Sequence, residues 1–154
     1  MINILHKLSI AAHNRTTYRV GLLQAKAYRL LKQRTALILK KSKLSTIEWA
    51  FLGLIADKKS LRAREAALEL GVKPPFITEI TTTLIKRGLI TVTQDADDGR
   101  VRPISLTPSG AAFVEKTEAH VRSEIRPLLS GIALKDLLGY LTVLEKLIDN
   151  GSQK

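Results

Sequence analysis

The placing of glycine and proline between residues 63 and 108 constrains this chain more than any other feature. Gly71, Pro74, Pro75, Gly88, Gly99, Pro103 and Pro108 cut that stretch into short pieces. "RAREAALELG" reads as a short helix that Gly71 stops. After the link "VK", "PPFITEITTTLIKRG" reads as a second helix: Pro74 or Pro75 suits its first turn, Ile77, Ile80 and Leu84 share one face, and Gly88 ends it. Two helices joined by a few residues around a glycine form a helix-turn-helix candidate. "LITVTQ" and "VRPISLT" are rich in β-branched residues and read as strands. The acidic stretch "DADDGR" between them is then a hairpin tip, with Gly99 at a turn position. Pro103 lacks a backbone donor, which predicts an edge position for its strand. Thr107 reads as an N-cap and Pro108 as the first residue of a following helix.

Long helical patterns flank this stretch. From about Thr16 to Lys40 the apolar residues Tyr18, Leu22, Ala25, Tyr28 and Leu31 recur at three and four. "LSTIEWAFLGLIAD" opens with Ser45 and Glu48 at capping-box spacing, and its apolar residues lie nearly all round, as in a helix buried on most sides. Trp49 and Phe51 fall in this helix and read as core rather than as a ligand box. A helix from about 108 should kink or end at Pro127. A last helix spans about 133 to 149, with Asn150-Gly151 closing it. Its stripe of Leu134, Leu137, Leu138, Leu141, Leu144, Leu147 and Ile148 has little within one chain to cover it, and it predicts packing against a second copy. The expectation is one domain, mainly α with a small β-hairpin wing: a winged helix-turn-helix over about 45–107 within a helical dimerisation frame over about 16–44 and 108–150.

The charge is uneven. The net charge is +11, and ten bases but no acid precede Glu48. The remaining 107 residues hold 15 bases and 14 acids. Such a basic chain suits a polyanionic partner, with double-stranded nucleic acid first and anionic lipid second. A merely solvated face and a basic, acid-poor presequence are the blander readings of the same segment. There is no cysteine. That removes disulfides, thiolate zinc sites and cysteine nucleophiles, and it fits a reducing cytoplasm. No apolar run approaches the ~20 residues of a membrane helix.

The segment "LIKRGLITVTQDADDGRVRPISLTPSG" carries Arg87-Gly88-Leu89, Asp98-x-Arg100 and Leu106-Thr107-x-x-Gly110, and "LSTIEWAFLGL" precedes it. With these motifs in this order, residues 16 to 149 resemble the MarR family of bacterial transcription regulators. The resemblance implies a cytoplasmic homodimer held by its terminal helices, with Leu22, Leu134, Leu137, Leu141, Leu144 and Leu147 at the interface. It implies one recognition helix per subunit in a major groove, presenting Lys73, Pro75, Phe76, Thr78, Glu79, Thr82 and Lys86. It also implies a wing against a minor groove, carrying Asp98, Arg100 and Arg102, and a DNA affinity lowered by a small aromatic or lipophilic acid. The chain departs from the family on the recognition helix, where Glu79 and Thr83 stand at positions that often hold arginine. Thr can bond base edges or pack on a thymine methyl, and Glu can accept from cytosine N4. The alternative is that Thr78, Glu79 and Thr82 are exposed polar residues and that shape and phosphates carry recognition.

No other chemistry is signalled. His6, His13 and His120 form no close metal-ligand pair, and neither a Gly-x-Ser-x-Gly elbow nor a phosphate-binding loop occurs. No enzyme activity, metal or cofactor is expected. Two other function classes fit the composition: an architectural DNA-binding protein with no effector, and a winged-helix module for protein or membrane surfaces.

Overall fold

The computed structural model describes residues 16–93 and 103–152 of the chain. These form two units, one up to Val121 and one from Arg122 onward. The first unit opens with helix α1, Thr16–Leu39, followed by a single 3-10 turn at Lys40–Ser42. Only the end of α1 reaches the core: Leu39 is buried, while Tyr18, Leu22, Leu23, Tyr28 and Leu37 are exposed. Lys43 adopts a left-handed conformation (φ 50) and reverses the chain. The amides of Lys43 and Leu44 then donate back to the carbonyls of Lys40 and Leu39 at 3.1 and 3.3 Å, which satisfies part of the helix end.

Helix α2, Thr46–Lys58, starts on the expected capping box. Ser45 Oγ accepts from the Glu48 amide at 3.2 Å, and the Ser45 amide donates to Glu48 Oε2 at 2.7 Å. Phe51, Leu52 and Ile55 are its buried residues. Trp49 is half-buried rather than enclosed, so the helix is less uniformly covered than its composition predicts. A two-residue strand β1, Ser60–Leu61, leads to α3, Ala63–Glu69, and then to α4, Pro74–Lys86.

The turn between α3 and α4 is set by Gly71 at φ 63. The Gly71 amide donates to Leu68 O and the Val72 amide to Ala67 O, at 3.1 and 2.9 Å. That pairing closes α3 and aims the chain into α4. Ala66, Ala67, Ile77, Ile80 and Leu84 are buried where the two helices meet. Gly88 (φ 67) ends α4 in the same manner, with the Leu89 amide donating to Leu84 O at 3.0 Å.

Strands β2, Ile90–Val92, and β3, Ile104–Leu106, pair antiparallel, with Ile90 opposite Leu106 and Val92 opposite Ile104. The sheet order is β1-β3-β2. The strand after Pro103 is therefore central, which corrects the expected edge position. Pro103 causes no conflict because it lies one residue before β3, and β1 pairs only with Ile104 and Ser105. On the β2 side the Pro103 carbonyl still accepts from the Thr93 amide, and the missing donor removes only the reciprocal bond at the end of the ladder.

Helix α5, Pro108–Ile125, starts with Thr107 as its cap: the Gly110 amide donates to Thr107 Oγ1 at 2.9 Å. The Thr107 hydroxyl donates to Gly88 O at 2.6 Å, and Ser109 Oγ donates to the same carbonyl at 3.0 Å. A Cβ on Gly110 would overlap the Leu89 carbonyl oxygen. The pattern Thr107-x-x-Gly110 thus fastens the start of α5 to the end of α4.

The second unit takes the chain from Arg122 through the end of α5 and a 3-10 turn at Arg126–Leu129 to α6, Leu134–Ser152. Pro127 lies in that turn, as expected. Gly151 does not stop α6, because the helix continues to Ser152, whose hydroxyl donates to Ile148 O at 2.8 Å. No residue of α6 is buried.

Candidate nucleic-acid interface

A helix places its residues about 100° apart, so the buried Ile77, Ile80 and Leu84 fix which side of α4 faces out. Pro75, Glu79, Thr82 and Lys86 lie opposite them, with Thr78, Thr83 and Phe76 on the flanks, and all seven are exposed. Lys73 is exposed at the N-cap, with an extended backbone. The structure thus brings together on one surface all seven recognition-helix residues expected from the sequence. Asp98, Arg100 and Arg102 of the wing lie outside the described residues. The wing's base is described, and the Thr93 amide donates to Pro103 O at 3.1 Å across it.

The threonines are not interchangeable. Thr78 Oγ1 donates to Pro74 O at 3.4 Å, Thr82 Oγ1 to Thr78 O at 2.9 Å, and Thr83 Oγ1 to Glu79 O at 3.0 Å. Each hydroxyl proton is directed to the helix's own carbonyl four residues back. Thr81 faces inward, beside the apolar stripe, and its hydroxyl oxygen is buried without a hydrogen-bond partner among the described residues.

Arg87 holds the helix in place, a role the sequence does not reveal. Its guanidinium donates to the carbonyls of Lys43 and Ser42 at 2.9 and 3.0 Å. It also lies over the Phe113 ring, 5.5 Å from the centroid. One side chain thereby joins the end of α4, the turn after α1, and α5. Those partners are separated from it by dozens of residues, so no local pattern could disclose them. Lys58 pairs with Glu69, joining the end of α2 to the end of α3. Among the described residues, no three of His, Asp and Glu gather as metal ligands would.

A sequence profile of the MarR family matches residues 42–101, which include α2, α3, α4 and β2. Over that stretch the chain is similar to the MarR family. The chain is 23% identical over 135 residues to the homoprotocatechuate degradative operon repressor of Escherichia coli, covering 88% of this chain and 90% of the repressor. It is 26% identical over 137 residues to the transcriptional regulator FarR of Neisseria gonorrhoeae, covering 85% and 92% of the two chains. Among solved structures, a MarR-family regulator from Rhodococcus sp. RHA1 superposes with a TM-score of 0.76 at 20% identity, covering 85% of this chain and 93% of that one. BpsR of Bordetella bronchiseptica, whose DNA binding is regulated by 6-hydroxynicotinic acid, superposes at 0.73 with 21% identity, covering 90% and 97%. These likenesses establish the winged-helix fold of the chain.

Proposed function

We propose that this chain is a homodimeric DNA-binding transcriptional regulator of the MarR kind, a repressor whose DNA affinity falls when a small aromatic or lipophilic acid binds. The observation that carries the reading is α4: its apolar face is packed against the core, and its polar face is fully open on a chain of net charge +11. A helix displayed in this way fits the major groove. The names and activities of the similar proteins support repression and an acidic effector. The exposed apolar residues of α1 and α6, among them Leu22, Leu134, Leu141 and Leu147, support pairing with a second copy. Leu137 and Leu144 of the same stripe are half-covered in the single chain. The proposed site of action is DNA in the bacterial cytoplasm.

In this reading the wing, Asp98 to Arg102, enters the adjacent minor groove. Arg100 occupies the groove, Asp98 orients it, and Arg102 contacts phosphate. The deciding experiment is genomic footprinting of the protein, repeated with phenolic and lipophilic acids. Discrete near-palindromic footprints that vanish with one acid support the reading. Uniform coverage of all duplexes would point to an architectural protein instead.

A further inference from the structure

We infer that the exposed face of α4 reads exocyclic amino groups and thymine methyls and rejects guanine edges. The inference rests on the DNA-binding reading above and adds the chemistry of recognition. A hydroxyl has one proton. On Thr82 and Thr83 that proton is committed to helix carbonyls at 2.9 and 3.0 Å, and on Thr78 it points the same way at 3.4 Å. What these side chains still offer a base is an acceptor lone pair and a methyl group. The same bond restricts each side chain to one rotamer, so its methyl is oriented before DNA arrives.

Glu79 stands among them as a carboxylate, which accepts and does not donate. The cations of this face are Lys73 at the N-cap and Lys86 in the last turn. They are roughly 20 Å apart along the helix, at its two ends. Arg87 is committed to the Ser42 and Lys43 carbonyls. The middle of the helix therefore presents no free side-chain donor. Guanine shows two acceptors, O6 and N7, to the major groove, and nothing here can satisfy them. Adenine N6 and cytosine N4 are donors, which Glu79 can accept, and thymine carries the methyl that a threonine methyl can cover. The two lysines sit where phosphates on either side of the groove would lie.

The test uses the full chain and a pool of duplexes with a randomised central segment. Enriched sites should show thymine opposite Thr78 and Thr82, and cytosine or adenine opposite Glu79. Replacing those thymines by deoxyuridine, which lacks only the methyl, should weaken binding about three- to fivefold per position. Thr82→Val keeps the methyl and should retain affinity and the preference for thymine over uracil. Thr82→Ser keeps the hydroxyl and should lose both. Glu79→Gln supplies a donor and should remove the discrimination against guanine. Thermal melts confirm that each variant folds, which the exposure of Thr82 and Glu79 favours. The inverse pattern, with Ser retaining and Val losing affinity and no effect of uracil, would overturn the inference. Equal binding to every duplex would overturn it too, while DNA binding itself survived. A wild-type chain that retards no duplex at low salt would remove the DNA-binding reading as well.

Discussion

Arg87 and Gly110 show how single residues position a reading helix without touching DNA. Hydrogen bonds from a charged group contribute about 1.5–3 kcal/mol each when well formed. Arg87 is half-buried and makes two of them to backbone carbonyls. Because the bond to Lys43 is exposed to water and contributes little, Arg87→Ala should lower stability by about 2–3 kcal/mol in urea titration, with the slope unchanged. Arg87→Lys should recover little of this, because an ammonium cannot form the planar fork that spans two adjacent carbonyls. Gly110 sets two effects against each other. Alanine gains about 1 kcal/mol of helix propensity over glycine. Its Cβ, however, would meet the Leu89 carbonyl oxygen, which is backbone and cannot swing away. Overpacking of this kind costs typically 1–3 kcal/mol. Steric overlap with a fixed atom outweighs propensity, so Gly110→Ala should lower the melting temperature. A rise in melting temperature would show that α5 can shift freely against the α4–β2 connection.

At the scale of elements, the breakers made most of the helix-turn-helix legible. Gly71 and Gly88 do end α3 and α4 at positive φ, and Ser45 and Thr107 do cap α2 and α5. Three things could not be read. Strand β1 is two residues long and exists only because β3 passes beside it. The central place of β3 follows from that unseen neighbour, which is why Pro103 misled. Gly151 has only a weak preference against helix, about 1 kcal/mol relative to alanine, and α6 runs past it to Ser152, whose hydroxyl donates to the Ile148 carbonyl. For the recognition site, period and polarity were enough to list the outward residues. They could not tell where a threonine sends its proton, because that depends on a rotamer. The wing carries its own prediction. A lone arginine entering a groove gives up about 1.5–2 kcal/mol of side-chain freedom, which a neighbouring carboxylate can reduce by holding it beforehand. Arg100→Ala should weaken DNA binding at least tenfold, about 1.4 kcal/mol, without altering thermal stability. Asp98→Ala should also weaken binding, though less. Electrostatics alone predicts tighter binding when a negative charge near DNA is removed, so fluorescence anisotropy at fixed salt separates the two accounts by sign.

The whole molecule is asymmetric in what it can stabilise alone. The first unit has a continuous core from Leu39 to Val121, whereas α6 has no buried residue. Burying a Leu side chain is worth about 1.5–3 kcal/mol, so the stripe on α6, uncovered among the described residues, represents stabilisation that the proposed second copy would supply. Leu141→Asp with Leu144→Asp would place unpaired carboxylates in that interface and should convert a dimer to monomer or unfold it. Sedimentation of the wild type as a stable monomer at micromolar concentration would rule the pairing out. The same feature reaches beyond structure. In the proposed dimer, a subunit that has not met its copy would display a leucine-rich helix that no described residue buries, the kind of segment a protease opens first. Because pairing scales with the square of the subunit's concentration, survival of the chain then depends on how much of it is present. Scarce subunits would then be degraded before they meet while abundant ones escape, so a modest change in synthesis would become a steep change in the amount that persists.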